Sequence, residues 1–268
     1  MKGSLVVAAV TLVAAAAVGA AVPACADRPG AGAPATLSIA AASDLRYALD
    51  ELAAAFEAER PGVDVAVSYG SSGSFYAQIL NGAPYDLFLS ADIAYPRQLA
   101  ERGLTLPGSE FTYGEGRIAV WVPAASPVDV SALGLAALTA PAVARVAIAN
   151  PEHAPYGRAA EAALRAAGIL EAVRPKLVLG ENIAQTMQFV QSGAADAGIV
   201  ALSLALAPVA SGGRYQLVPT SAHPPLEQGG AILRAATGRE EAQAFRQFML
   251  GPAARAVLAR YGFVVPEG

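Results

Sequence analysis

Ser43 and Ser72 are the residues whose type and placement could do chemistry. Each follows a short apolar strand (Thr36 to Ala41, then the alternating Val63, Val65 and Val67), and each stands where a helical stretch begins. At such a position a hydroxyl lies beside the first backbone N–H groups of the helix, which have no partner within it. The helix dipole adds partial positive charge there. Two such termini facing one cleft would cradle a single oxyanion without any cationic side chain. Helix capping accounts for either serine alone; their equivalent placement after successive strands is what points to a ligand.

Other apparent motifs do not carry chemistry. Gly114-Glu115-Gly116-Arg117-Ile118-Ala119 has the letters of a dinucleotide fingerprint, but a strand follows it instead of a helix, so it reads as a turn. No phosphate-binding G-x-x-x-x-G-K-[ST] string occurs. Gly70-Ser71-Ser72-Gly73-Ser74 misses the G-x-S-x-G nucleophile elbow by one residue. His153 and His223 each have a proline close by and read as loop residues, with no triad around them. Asp86, Asp92 and Asp196 are scattered acids near strand ends that suit turns or a hinge better than acid–base work. A secreted serine hydrolase using Ser72 is the enzymatic alternative, and it lacks a base.

The 268 residues carry 18 Lys+Arg against 22 Asp+Glu, a formal net charge of -4, with 54% hydrophobic and 15% charged residues. That apolar fraction excludes a disordered chain. No basic stripe exists to neutralise nucleic-acid phosphates, and lysine occurs only at Lys2 and Lys176. One cysteine and two histidines rule out a disulfide framework and a Cys/His metal site. Leu5 to Val22 is free of charge, follows the basic Lys2 and ends in Pro23-Ala24-Cys25-Ala26. This predicts a signal peptide, residues 1–26, cut after Ala26, and so an exported protein. Val22-Pro23-Ala24-Cys25 also resembles a bacterial lipobox, so a lipid on Cys25 is the alternative.

Strand and helix alternate through the rest of the chain. Leu45, Leu49, Leu52 and Phe56 recur at helical spacing, and Leu87 to Ser90 is a strand followed by a helix near Tyr95 to Arg102. Ile118 to Val122 opens a second round. Arg145 to Ala149, Leu177 to Leu179 and Ala197 to Ala201 are strands, with helices at Gly157 to Ala167 and Ile183 to Gln191. A strand at Gly229 to Leu233 precedes closing helices at Glu240 to Met249 and Pro252 to Tyr261, in which Phe245 and Phe248 read as core. The rhythm predicts two doubly wound α/β lobes with parallel sheets. Lobe 1 spans residues 35–114, lobe 2 spans 115–222, and 223–268 returns to lobe 1. Two crossovers make a hinge, and the ligand sits between the lobes at the carboxyl ends of strands.

Several segments carry a family resemblance in collinear order. They are Ala40-Ala41-Ala42-Ser43, Tyr69-Gly70-Ser71-Ser72-Gly73-Ser74, the run Asn81 to Asp92, Asn150-Pro151-Glu152-His153-Ala154-Pro155-Tyr156-Gly157, Gly180-Glu181-Asn182-Ile183, Ala197-Gly198-Ile199-Val200, and the end from Leu250 to Phe263. Together they resemble the periplasmic molybdate-binding receptors of bacterial ABC transporters. The resemblance implies a type II periplasmic binding protein, monomeric and without enzymatic activity or cofactor. It also implies a molybdate or tungstate ligand and delivery to a membrane permease. Carried over, the anion-binding hydroxyls fall on Ser43 and Ser72, with the backbone of Asp44 beside them. Second-lobe donors come from the backbone of Ala154, from Tyr156 and from the backbone N–H of Ile183. Relatives place a tyrosine on the anion from either of two loops; here one loop has Tyr156 and the other Ala201. Asp44 departs from the pattern, since a neutral residue often stands beside the first serine.

The chemistry of the ligand suits such a site. Molybdate at neutral pH is a tetrahedral dianion that only accepts hydrogen bonds, and each bond to a charged group is worth about 1.5–3 kcal/mol. A protonated oxyanion such as hydrogen phosphate would need an acceptor, and Asp44 is the nearby group able to serve. That alternative receptor stays open on the residues.

Overall fold

The computed structural model describes residues 35–236 and 239–266. The expected signal peptide, its cleavage point and Cys25 lie outside the described residues. In chain order the strands are β1 (Ala35–Ala42), β2 (Val63–Gly70), β3 (Leu87–Ser90), β4 (Phe111–Gly116), β5 (Ile118–Pro123), β6 (Val146–Ala149), β7 (Leu177–Gly180), β8 (Ala197–Ala201), β9 (Gly213–Leu217) and β10 (Leu226–Ile232). The helices are α1 (Arg46–Glu59), α2 (Ser72–Leu80), α3 (Ala94–Glu101), α4 (Val130–Leu133), α5 (Pro155–Ala166), α6 (Leu170–Val173), α7 (Ile183–Gln191), α8 (Leu202–Ala205), α9 (Arg239–Leu250) and α10 (Pro252–Arg260).

Two five-stranded sheets result, ordered β2-β1-β3-β10-β4 and β7-β6-β8-β5-β9. Both are mixed. β1 runs parallel to β2 and β3, while β10 is antiparallel to β3 and β4. Likewise β6 is parallel to β7 and β8, and β5 is antiparallel to β8 and β9. The antiparallel strands are those by which the chain passes between the sheets, from β4 into β5 and from β9 back to β10. A strand returning from the other lobe enters its sheet against the direction of the strands already there.

The stretch Gly114–Arg117 differs from the turn expected of it. Gly114 and Gly116 belong to β4 and pair with Gln228 and Leu226 of β10, and Arg117 alone separates β4 from β5. Glycine does not prevent ladder hydrogen bonds, and a register shift at Gln228/Gly229 absorbs the irregularity. β9, which sequence periodicity had not marked, completes the second sheet at its edge.

Each sheet has its own core. In α1 the residues Ala48, Leu49, Leu52 and Phe56 form one buried stripe, which packs with Leu37 and Ile39 of β1. Phe56 meets Phe245 edge to face at 4.9 Å and Phe248 at 5.5 Å, so the closing helices pack on the first lobe. Val120, Val146, Ile148, Leu164, Val190 and Ile199 make the second core. The two lobes are joined by two extended crossings, the arrangement about which hinge closure occurs in two-lobed proteins.

Candidate functional site

Four strands end, and four helical segments begin, at one place. β1 leads into a 3-10 turn, Ser43–Leu45, ahead of α1, and β2 leads into α2. From the other lobe, β6 leads through Asn150 to Ala154 into α5, and β7 leads through Asn182 into α7. They surround a small cavity lined by Ser43, Asp44, Ser71 and Ser72 from one lobe and by Ala154, Tyr156 and Ile183 from the other. Among the described residues, no lysine, arginine or histidine lines it. The six residues expected from the sequence thus share one cavity, drawn from both lobes.

Their bonding is specific. Ser43 Oγ donates to Asn182 Oδ1 at 3.1 Å and accepts from the Ala184 N–H at 3.2 Å, tying lobe 1 to the start of α7. Asn182 is the N-cap of that helix and accepts from Ala184 and Gln185, both at 3.0 Å. Ile183 follows as its first residue, where backbone N–H groups have no helical partner. The N-cap of α2 is Ser71, which accepts from the Ser74 N–H at 3.2 Å; Ser72 is the first helical residue. Ser72 Oγ accepts from the Ala91 N–H at 3.0 Å, leaving its own proton to donate. Ala154 caps α5, and its N–H already donates to the Asn150 carbonyl at 2.9 Å.

Tyr156 and Asp44 meet beneath the cavity. The Tyr156 hydroxyl donates to Asp44 Oδ2 at 3.0 Å and accepts from Gln228 Nε2 at 3.2 Å. Gly116, at the crossing between lobes, is required here, because a Cβ on it would strike the Tyr156 hydroxyl. Tyr113 Oη lies 3.0 Å from the Ser90 carbonyl and 3.1 Å from Gln228 Oε1. Ser203 Oγ donates to the Asp44 carbonyl oxygen at 2.7 Å. Burial pushes the Asp44 carboxyl up to about 6, against the hydrogen bonds from Tyr156 and Gln228 that favour its ionised form. Burial likewise pushes both tyrosine hydroxyls well above their ordinary range, and the Asp44 charge adds to this.

Further contacts bridge the cleft around this centre. Arg158 pairs with Asp92 at 2.7 Å and donates to the Tyr95 hydroxyl at 3.2 Å. The Gly73 N–H donates to the His153 carbonyl at 2.9 Å, and Ser71 Oγ lies 2.9 Å from His153 Nδ1. Ser74 Oγ reaches Glu181 Oε1 at 3.3 Å, and Glu181 stands 3.7 Å from His153 Nε2. His153 and Asp92, read from sequence as loop and turn residues, therefore join the two lobes. Asn182 was not singled out, although an Asn directly before an apolar helical run is the local signal of such a cap. Gln228, Ser71, Ser203 and Arg158 were not singled out, and for Gln228 no local signal exists, since it sits in a strand and is fully buried.

A cleft between two α/β lobes, floored by helix starts from both, defines a solute-binding receptor. The chain belongs to the bacterial extracellular solute-binding proteins, whose family model matches residues 37–264. It is 39% identical over 230 residues to the molybdate-binding protein ModA of Azotobacter vinelandii, covering 85% of this chain and 90% of that one. To the molybdate-binding protein ModA of Rhodobacter capsulatus it is 36% identical over 225 residues, covering 84% and 86%. The solved Azotobacter vinelandii periplasmic molybdate-binding protein is similar at a TM-score of 0.80 and 34% identity, over 86% of this chain and 100% of that one. The sulfate-binding protein SubI of Mycobacterium tuberculosis shares the fold at 19% identity and a TM-score of 0.69.

Proposed function

We propose that this protein is the substrate-binding receptor of an ABC importer for molybdate, with tungstate accepted in the same cleft. The observation that carries the reading is the cavity at four helix starts, lined by hydroxyls, backbone and the acid Asp44 and, among the described residues, by no cationic side chain. A tetrahedral dianion needs donors on every side and offers no proton in return, which hydroxyls and helix N-termini satisfy. The relatives at 36% and 39% identity are molybdate-binding proteins, and most of each chain is covered.

In this reading Ser72 donates from lobe 1 with the backbone of Asp44, and Ser43 does so by turning its single proton from Asn182 Oδ1 to the anion. Tyr156 and the Ile183 N–H donate from lobe 2, and Ala154 shapes the wall. The bridges Arg158–Asp92 and Gly73–His153 hold the lobes closed on the anion. The receptor works as a monomer, is exported to the periplasm by its leader, and hands the oxyanion to a membrane permease. A lipid on Cys25 would tether the same receptor without changing its site.

A thermal-shift panel of molybdate, tungstate, sulfate, phosphate and arsenate tests this. A ligand held at 100 times its Kd stabilises by about 2.7 kcal/mol. Molybdate and tungstate are expected to raise the melting point and sulfate to leave it unchanged. Equal shifts with sulfate would remove the specificity, and shifts with phosphate or arsenate alone would make this a receptor for a protonated oxyanion.

A further inference from the structure

Asp44 stands where a dianion site should not have a carboxylate. It lines the same cavity as Ser43 and Ser72, is 1% exposed, and its Oδ1 has no hydrogen-bond partner among the described residues. The groups packed against it are Tyr156 from α5, Tyr113 from β4, Gln228 from β10 and Ser203 from α8. The backbone N–H groups of Asp44 and Leu45 also favour its ionised form, and among the described residues no arginine, lysine or histidine contributes to its shift. Two negative groups so close in a low-dielectric cavity cannot both stay charged, since each disfavours the ionised form of the other. Because the proposed ligand keeps its charge at neutral pH, the carboxylate must give way.

Protonation of Asp44 rearranges the hydrogen bonds around it. The Tyr156 hydroxyl has one proton and two lone pairs. With Asp44 ionised, that proton is spent on Oδ2 and one lone pair takes Gln228 Nε2. Tyr156 then has no donor for the cavity it lines. A protonated Asp44 reverses the bond: its O–H donates to the second lone pair of Tyr156, and the tyrosine proton is released to turn toward an anion. Tyr113 does not take over the role, since it does not line the cavity and its hydroxyl has the Ser90 carbonyl and Gln228 Oε1 as acceptors.

We infer that Asp44 takes up one proton from solvent as the oxyanion enters and thereby turns the Tyr156 hydroxyl from Asp44 to the ligand. This rests on the oxyanion-receptor reading above. The step is balanced by one solvent proton, which forms the Asp44 O–H; the tyrosine O–H only rotates. Burial already holds the carboxyl near 6, so the proton is available close to neutrality. Above that pH, affinity for a dianion should fall about tenfold per pH unit until the carboxyl of the complex itself titrates.

The test is calorimetric titration of molybdate into the full-length mature protein at pH 7.5, in buffers of different ionisation enthalpy. It is joined by Kd measurements from pH 6 to pH 8. The wild type is expected to absorb about one proton at pH 7.5 and to weaken about fiftyfold from pH 6 to pH 8. Asp44→Asn, whose amide N–H donates to Tyr156 as a protonated carboxyl would, should absorb none, lose the pH slope and bind more tightly than wild type at pH 8. Tight wild-type binding with no proton uptake and a flat pH profile overturns the inference and leaves the receptor reading standing. Loss of binding in a folded Asp44→Asn protein also overturns it, by making Asp44 the acceptor for a proton on the ligand. If that variant does not fold, the wild-type proton count alone decides. Absence of any molybdate or tungstate binding by the wild type refutes the receptor reading itself.

Discussion

Gly73→Ala separates closure of the lobes from folding of either one. Gly73 is the second residue of α2, and a Cβ built on it would lie 2.5 Å from the His153 carbonyl oxygen, 2.9 Å from His153 Cα and 2.9 Å from the Tyr95 hydroxyl. Two of these three atoms are backbone of the opposite lobe and cannot swing aside. Overpacking of this kind costs about 1–3 kcal/mol, and losing the Gly73–His153 hydrogen bond adds about 0.5–1.5 kcal/mol. Nearly all of this penalty falls on the closed form. Within the helix the substitution has the opposite sign, because alanine in place of glycine gains roughly 0.5–1 kcal/mol. The expected outcome is a molybdate Kd weakened about tenfold to thousandfold, with a melting point of the free protein that is unchanged or higher. Calorimetry and a thermal melt on the same preparation read both. An unchanged Kd would refute the reasoning, and a weakened Kd with a lowered free-protein melting point would reduce it to ordinary misfolding.

On the proposed reading, Ser43→Ala and Tyr156→Phe each remove one hydroxyl donor and should weaken molybdate binding about tenfold to hundredfold, at about 1.5–3 kcal/mol per charge-assisted hydrogen bond; titration showing full affinity in either variant would strike that residue from the candidate site. Asp44 also makes a stability prediction. Its carboxyl is held near 6 against an ordinary 3.8, so the native state binds the proton more tightly than the unfolded chain. Stability is therefore fully present below about pH 4 and is lost as pH rises through 6, by on the order of 3 kcal/mol. Urea midpoints of Asp44→Asn should exceed wild type above pH 6 and converge with it near pH 4; parallel pH profiles would contradict the assignment.

Much of the site was legible because its logic is local. A strand, a small hydroxyl residue and then a helical apolar pattern place Ser43 and Ser72 at strand ends wherever the lobes sit, and Asn182 before Ile183 marks another helix start in the same way. Periodicity also set the paired lobes and located α7 to the residue. It did not reveal the direction of β10 or the edge strand β9, because strand polarity depends on which sheet a returning chain joins.

The contacts among the residues lining the cleft were decided by tertiary structure alone. Asp44 and Tyr156 are 112 residues apart and Tyr113 and Gln228 are 115 apart, yet they form one buried network. From the chain alone, Asp44 could be described only as a carboxylate in an unexpected place and a candidate acceptor for a protonated oxyanion. The fold supplies the desolvation that raises its pKa and the single hydroxyl that answers it. The same holds for His153 against Gly73 and for Arg158 against Asp92. A helix start is encoded by neighbours along the chain, so sequence determines it. Contacts across a cleft depend on two separately packed lobes meeting, and no local pattern encodes where they touch.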